Sequence, residues 1–142
     1  MTSDTITRRT MWDVLLAEEP GFAPKRAAFV SDWQSEGEPL PEFICIGDLV
    51  AYTLNAFERG DSASVERVIS VVARWYREGD EDVQELATTG FLEDFGNGAR
   101  HKASSPDELR GFLPSDLLAD FDSIRDAWAA HDARLRATDT DG

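Results

Sequence analysis

The sequence predicts an all-α protein, a compact bundle of about six to seven helices arranged as antiparallel hairpins. Apolar residues recur at intervals of three and four through the centre of the chain, and Gly-Asp pairs at 60–61 and 79–80 separate these stretches. Glycine supplies the residue that ends one helix, and aspartate caps the next. Links this short make successive helices antiparallel neighbours. No stretch of alternating apolar and polar residues indicates a strand.

The N-terminal third is predicted to form two helices. Thr10 and Asp13 resemble a capping box at the start of helix one, which the Pro-Gly pair at 20–21 ends. Pro24 suits the start of helix two, because proline is tolerated in the first turn of a helix. Helix two is expected to continue to about Ser35.

Helix three has the clearest pattern, an apolar stripe at i, i+3, i+4, i+7, i+8 and i+11. Its members are Ile46, Leu49, Val50, Thr53, Leu54 and Phe57. The same spacing predicts helix four, with Trp75 on its buried face, and helix five, with Phe91 on its buried face. Helix five is expected to end at the Gly-Asn-Gly sequence at 96–98.

The C-terminal third is predicted to contain a short helix and a long one. The sequence Ser-Pro-Asp-Glu at 105–108 matches a capping box with proline at the first helical position. The long helix is predicted from Pro114 to about Arg136. His131 lies in its apolar stripe, so we expect this side chain to be partly buried.

Length and composition fit a single domain at 1–136 followed by a flexible tail at 137–142. Cys45 is the single cysteine and stands among apolar residues, so we expect a buried thiol in a reducing compartment. The sequence has no signal-peptide pattern and no apolar run of about 18 residues. These observations predict a cytoplasmic protein with no membrane association.

Charge gives the strongest indication of the partner. Twenty-eight acidic residues against fourteen basic ones give a net charge of −14. Nucleic acid and anionic lipid carry the same sign of charge and are therefore disfavoured as partners. A basic protein is expected instead, and the oligomeric state is left open.

Seven acidic residues and no basic one lie between positions 78 and 97. Most acidic residues serve to keep a surface solvated, and those in the first turns of helix five suit the positive end of its dipole. Glu93 and Asp94 lie in the last turn, where the dipole disfavours negative charge, so they indicate a binding role. At 100° per residue, Asp82, Glu85 and Glu93 share a face opposite the core, whereas Asp94 projects nearer the apolar side.

Asp48 and Tyr52 define a second candidate surface, on helix three opposite its buried stripe. Tyrosine is favoured at interfaces because it combines a large rigid ring with a polar tip. The alternative is that Tyr52 packs against helix one or two and has a structural role.

No catalytic, metal or cofactor pattern accompanies these surfaces. One cysteine and two histidines are too few for a zinc site, and neither histidine follows a glutamate by three positions, as di-metal bundles require. We therefore expect no metal, no cofactor and no enzymatic activity. Cys45 acting with a histidine as nucleophile and base is the less favoured alternative.

Residues 44–97 resemble a family of small all-helical bacterial domains of unknown function, interpreted as immunity proteins of polymorphic toxin systems. The resemblance is carried by Gly-Asp at 47–48, Gly-Asp at 60–61 and Gly-Phe-Leu-Glu at 90–93. It supplies no catalytic residue and implies an inhibitor that binds a cognate toxin. The acidity of this chain suits a basic toxin such as a nuclease. A non-inhibitory adaptor or structural interaction protein is the alternative.

Overall fold

The computed structural model describes residues 5–35, 37–97 and 105–140, and within them the predicted all-α bundle is confirmed, with no β-strand. A π-helical segment (Leu86–Leu92) joins α5 to α6, and single 3-10 turns precede α2 (Pro20–Phe22) and follow α7 (Arg110–Phe112). The α-helices are α1 (Met11–Glu18), α2 (Ala23–Trp33), α3 (Glu42–Glu58), α4 (Ser62–Glu78), α5 (Glu81–Glu85), α6 (Glu93–Phe95), α7 (Pro106–Leu109) and α8 (Ser115–Thr140).

The two Gly-Asp turns form as predicted. Gly60 has a φ of +85°, the left-handed conformation that glycine adopts without strain. The Asp61 carboxylate accepts a hydrogen bond from the Ser64 backbone N–H at 3.2 Å and caps α4. Asp80 caps α5 in the same way, accepting from the Val83 N–H at 3.0 Å. Because only a short turn links α3 to α4 and the two pack together, they run antiparallel.

The predicted capping box at the start of α1 is wrong. The Thr10 hydroxyl accepts a hydrogen bond from the Thr7 backbone N–H at 3.0 Å, and no side chain caps α1 at Thr10. The Met11 N–H donates instead to the Thr7 carbonyl at 2.8 Å. Thr10 therefore closes the turn that precedes α1, a local contact that competes with helix capping.

One apolar cluster extends from the N-terminal segment to α8. Trp75 is fully buried, and its indole N–H donates to the Met11 carbonyl at 3.1 Å. Phe91 is also fully buried and stacks on Phe95 with ring centroids 5.1 Å apart. The prediction that Trp75 and Phe91 lie in buried helix faces is confirmed.

Helix five is not the regular α-helix that the spacing predicts, because Leu86–Leu92 forms a π-helix. In a π-helix each N–H bonds to the fifth preceding carbonyl, so the turn is wider than in an α-helix. The wider turn buries five of its seven residues, namely Leu86, Ala87, Gly90, Phe91 and Leu92. The segment packs against α3, α4 and α8, which explains why so much of its circumference is apolar.

The last helix extends beyond its predicted end at Arg136, since α8 continues to Thr140 and includes residues 137–140 of the predicted tail. His131 is exposed, contrary to the predicted partial burial. Its neighbours at 129, 130, 133 and 134 are exposed as well, so the helix has passed the core at this point. Gly98, Arg100, His101, Lys102 and residues 141–142 lie outside the described residues.

None of the described helices combines the length and apolar character needed to cross a membrane.

We expect Trp75→Ala and Phe91→Ala each to lower the free energy of unfolding by about 3–5 kcal/mol, because each leaves a large cavity. Trp33→Ala and Phe43→Ala are matched controls, since these rings are 48% and 49% exposed, and should cost far less. Denaturant unfolding followed by far-ultraviolet circular dichroism measures all four. Equal costs for the buried and exposed aromatic residues would contradict the described core.

Candidate functional site

Phe43 is the centre of an exposed apolar patch at the start of α3. Its side chain is 49% exposed and that of Ile44 is 44% exposed, whereas Glu42 and Cys45 on either side are buried. Exposed large apolar side chains that lie together are typical of binding surfaces.

Two open pockets share Phe43 as a wall. The larger, of about 340 Å³, lies between the π-helical segment, α6 and α8, and is lined by Phe43, Thr89, Gly90, Glu93, Asp94, Asn97 and Trp128. The smaller, of about 210 Å³, lies beside α5 and is lined by Arg8, Pro41, Glu42, Phe43, Asp82, Glu85 and Leu86. We call Phe43 with Asp82, Glu85, Thr89, Glu93, Asp94 and Trp128 the Phe43 surface. The four predicted acidic residues of helix five thus border one surface, divided by Phe43.

The π-helical segment changes how these acidic residues are arranged. Asp82 and Glu85 are exposed, but Glu93 and Asp94 are half-buried and line the same pocket. Glu93 therefore does not share the exposed outer face of Asp82 and Glu85, contrary to the prediction. The cause is the wider π turn, after which residues no longer follow the 100° step of an α-helix.

Three carboxylates of this surface form no ion pair within the part of the chain that the structure describes. Within that part, no ion pair includes Asp82, Glu85 or Glu93. Arg8 lines the smaller pocket but donates to the Leu40 carbonyl at 3.1 Å. Other arginines pair elsewhere, as in Arg59–Asp61, Arg74–Glu78, Arg77–Asp116, Arg110–Asp122 and Arg125–Asp107. Among the described residues, Asp82, Glu85 and Glu93 therefore have no ion-pair partner at the Phe43 surface.

Glu42 anchors the Phe43 surface from inside the bundle. Its side chain is 5% exposed and accepts hydrogen bonds from the Trp12 indole N–H at 2.6 Å and the Arg26 guanidinium at 2.9 Å. The Arg26 guanidinium also lies over the Trp12 ring, 4.6 Å from its centroid. These contacts join α1, α2 and the first turn of α3. They hold Glu42 inward and fix the position of Phe43, the next residue.

Gly90 allows the Phe43 ring to lie directly on the π-helical backbone. A Cβ atom at this position would stand 3.2 Å from Ile46 Cγ2 and 3.3 Å from Phe43 Cδ1. These distances are closer than most Cβ contacts, so any larger residue would displace one of the two side chains. Gly90 therefore fixes the separation between α3 and the π-helical segment beneath the larger pocket.

Asp48 and Tyr52 lie on a different surface. The Tyr52 hydroxyl donates to Glu19 Oε2 at 3.1 Å, and its ring forms a T-shaped contact with that of Phe22, with centroids 5.4 Å apart. Burial and this hydrogen bond raise the pKa of Tyr52. The expected structural alternative for Tyr52 is thus observed. Asp48 and Tyr52 also line a groove of about 260 Å³ between α2 and α3, which shares no lining residue with the two pockets at Phe43.

Cys45 is fully buried, as predicted. Burial raises the pKa of its thiol to about 11, so the thiol stays protonated at neutral pH and is a poor nucleophile. Among the described residues, no group of three or more His, Cys, Asp or Glu side chains is placed to hold a metal ion.

Sequence reasoning found the acidic rim but missed Phe43 and Trp128 as its aromatic members. Phe43 stands three residues before Ile46, so the helical spacing places it on the buried side of α3. It remains half exposed because the facing element presents Gly90 and open pockets instead of a covering side chain. One sequence signal could have indicated the exposure of Phe43. It is an apolar residue in the first turn of a helix, where fewer neighbouring residues cover a side chain.

Glu42→Ala should lower the free energy of unfolding by about 3–5 kcal/mol, because it leaves the Arg26 charge partly buried without its partner. Asp48→Ala is the control: this acidic residue is exposed on the same helix, and its loss should change stability by less than about 0.5 kcal/mol. Denaturant unfolding of both variants tests the difference. A Glu42→Ala variant as stable as Asp48→Ala would show that Glu42 does not anchor α3.

Comparison with known proteins assigns the chain to a family. A family model described as a domain of unknown function (DUF7674) matches residues 13–129, a range that contains every residue of the Phe43 surface. A search of the curated proteins and a search of the solved structures each gave no significant match. Because the match covers well over half of the 142 residues, this chain belongs to the DUF7674 family of domains of unknown function.

Proposed function

We propose that this chain is an immunity protein, an acidic protein-binding domain that binds and neutralises a basic toxin through the Phe43 surface. One observation carries the proposal: a half-exposed aromatic side chain stands between Asp82, Glu85 and Glu93, which form no ion pair with any described residue. Aromatic anchors surrounded by a polar rim are the usual anatomy of a protein interface. Phe43 and Trp128 supply the aromatic contacts, and Asp82, Glu85 and Glu93 supply charged contacts.

The charge of the chain indicates the kind of toxin. A net charge of −14 attracts a basic partner over a distance and repels nucleic acid and anionic lipid. A nuclease has a basic surface for its substrate, so an acidic inhibitor that covers this surface would block it. The resemblance of residues 44–97 to a family of unknown function that is interpreted as immunity proteins supports the same function, and a cytoplasmic location fits it. We assign no catalytic step to the chain.

A non-inhibitory adaptor is the alternative function. The groove at Asp48 and Tyr52 favours it, because the 48% exposed Trp33 lines that groove and offers a second aromatic contact. An adaptor that joins two proteins needs two such surfaces, whereas an inhibitor needs one. The two functions differ in whether the partner is harmful to a cell that lacks this chain.

We expect the partner, recovered with the tagged chain from a lysate of its native host, to stop growth when it is expressed alone in a test bacterium. Co-expression of this chain should restore growth, because the covered toxin cannot act. Colony counts on inducing medium measure the effect. A partner that binds stably but leaves growth unchanged when expressed alone would contradict immunity and favour the adaptor.

Association with the recovered partner should slow by about tenfold or more as the salt concentration rises from about 50 to 500 mM. The reason is that the Debye length falls from roughly 14 to 4 Å, which screens the attraction between oppositely charged surfaces. The dissociation rate should change less. Stopped-flow mixing measures both rates, and the variant Glu85→Lys/Glu93→Lys should also associate slowly.

A charge-matched control separates the Phe43 surface from net charge. Asp13→Lys/Glu18→Lys makes the same change in charge on exposed residues of α1, away from the two pockets at Phe43. The control should keep most of the association rate, and circular dichroism should show that both variants are folded. Equal rates for the two double variants would mean that the partner does not bind at the Phe43 surface.

A further inference from the structure

We infer that the larger pocket beside Phe43 binds one arginine side chain of the partner, with the guanidinium ion between the aromatic rings and the Glu93 carboxylate. The inference rests on the proposed function, since it names the group through which a basic partner engages this surface. It commits to arginine over lysine.

The size of the pocket fits a single side chain. Its volume is about 340 Å³, near the lower limit of about 300 Å³ for small-ligand pockets. Phe43 and Trp128 line it as aromatic walls, and the missing side chain of Gly90 lets the Phe43 ring lie against the π-helical backbone beside the pocket. The Phe43 ring is 49% exposed and Trp128 is half-buried, so both rings have free surface for a ligand to contact.

The chemistry of the lining favours a cation. Aromatic faces attract guanidinium and ammonium ions, and the attraction grows when water is partly excluded. Glu93 is half-buried and forms no ion pair with any described residue, so a positive group entering the pocket would gain a charged hydrogen-bond acceptor. A neutral or anionic side chain would bury this carboxylate without a partner, which is unfavourable.

Arginine fits this lining better than lysine. The guanidinium group is planar, stacks on aromatic rings and is weakly hydrated, so it can contact a ring and a carboxylate at the same time. The ammonium group of lysine is a strongly hydrated point charge that loses more on leaving water.

The other described pockets are less suited to a cation. The smaller pocket at Phe43 includes Arg8, and the groove at Tyr52 includes Lys25. A further pocket of about 400 Å³, between α4 and the 3-10 turn that follows α7, includes Arg74 and Arg77. The described lining of the larger pocket at Phe43 contains no basic residue. Charge complementarity therefore selects this pocket for the arginine.

The test uses the purified chain and a small probe, so it needs no partner. The probe is Nα-acetyl-arginine amide. The matched control is Nα-acetyl-citrulline amide, whose side chain has nearly the same shape but no charge. Proton–nitrogen correlation spectra follow the Trp128 indole N–H and the Gly90 amide. We expect the arginine probe to shift both signals to saturation, the citrulline probe to leave them unchanged, and the exposed Trp33 indole to stay constant.

Two substitutions test the assigned contacts. Glu93→Gln and Trp128→Ala should each weaken binding of the arginine probe by about threefold, as expected for one charge or cation–π contact at a partly exposed site. Glu81→Gln makes the same charge change on an exposed residue outside the pocket and should leave the affinity unchanged. The Gly90 signal reports on the variant that lacks Trp128.

Four outcomes would overturn the inference. Two concern the probes: the citrulline probe binds as tightly as the arginine probe, or Nα-acetyl-lysine amide binds as tightly or more tightly. Two concern the variants: Glu93→Gln and Glu81→Gln lose the same affinity for the arginine probe, or that probe binds only after Arg100 and Lys102 are replaced by alanine. The last would show that the chain fills the pocket with its own basic residues. Failure here leaves toxin neutralisation to be decided by the growth assay. Success here with no growth rescue would remove the immunity function and keep the arginine site.

Discussion

A carboxylate buried where three helices meet holds the arrangement on which the exposed surface depends. Removing Glu42 from water costs several kcal/mol unless partners of opposite charge or good hydrogen-bond donors surround it. Trp12 from α1 and Arg26 from α2 provide these partners, at 2.6 and 2.9 Å. The start of α3 is thereby fixed against both earlier helices. Phe43 follows immediately in the chain, and its ring lies against Gly90 with about half of its surface exposed.

A second buried carboxylate has the same role at the other end of α1. Glu19 is 3% exposed and lies at the C-terminus of that helix, where the dipole makes a negative charge unfavourable. Arg67 from α4 donates to it at 3.0 Å, and Tyr52 from α3 donates at 3.1 Å. The two glutamates thus connect α1 to α2, α3 and α4 by polar contacts inside an apolar bundle. Tyr52 is part of this connection as well as of the groove beside it.

The candidate site was only partly accessible to sequence reasoning. Asp82, Glu85, Glu93 and Asp94 could be selected because charge runs and helix-terminal positions are visible in a single sequence. Phe43 could not be selected in this way, since helical spacing places it in the core. Spacing alone cannot show that its ring is left 49% exposed. The π-helical segment could not be predicted from the sequence either. It packs against three neighbouring helices, and no local sequence pattern encodes these contacts.

The sequence by itself determined the all-α class, most helix boundaries and the acidity of the surface. These features follow from contacts within a few residues, such as Gly60 in a left-handed turn and Asp61 capping the Ser64 N–H. Tertiary structure alone decided that Glu42 is buried, that Phe43 is exposed and that helix five widens into a π-helix. The physical reason is distance along the chain: Glu42 is stabilised by Trp12, thirty residues away, and no local rule contains that contact.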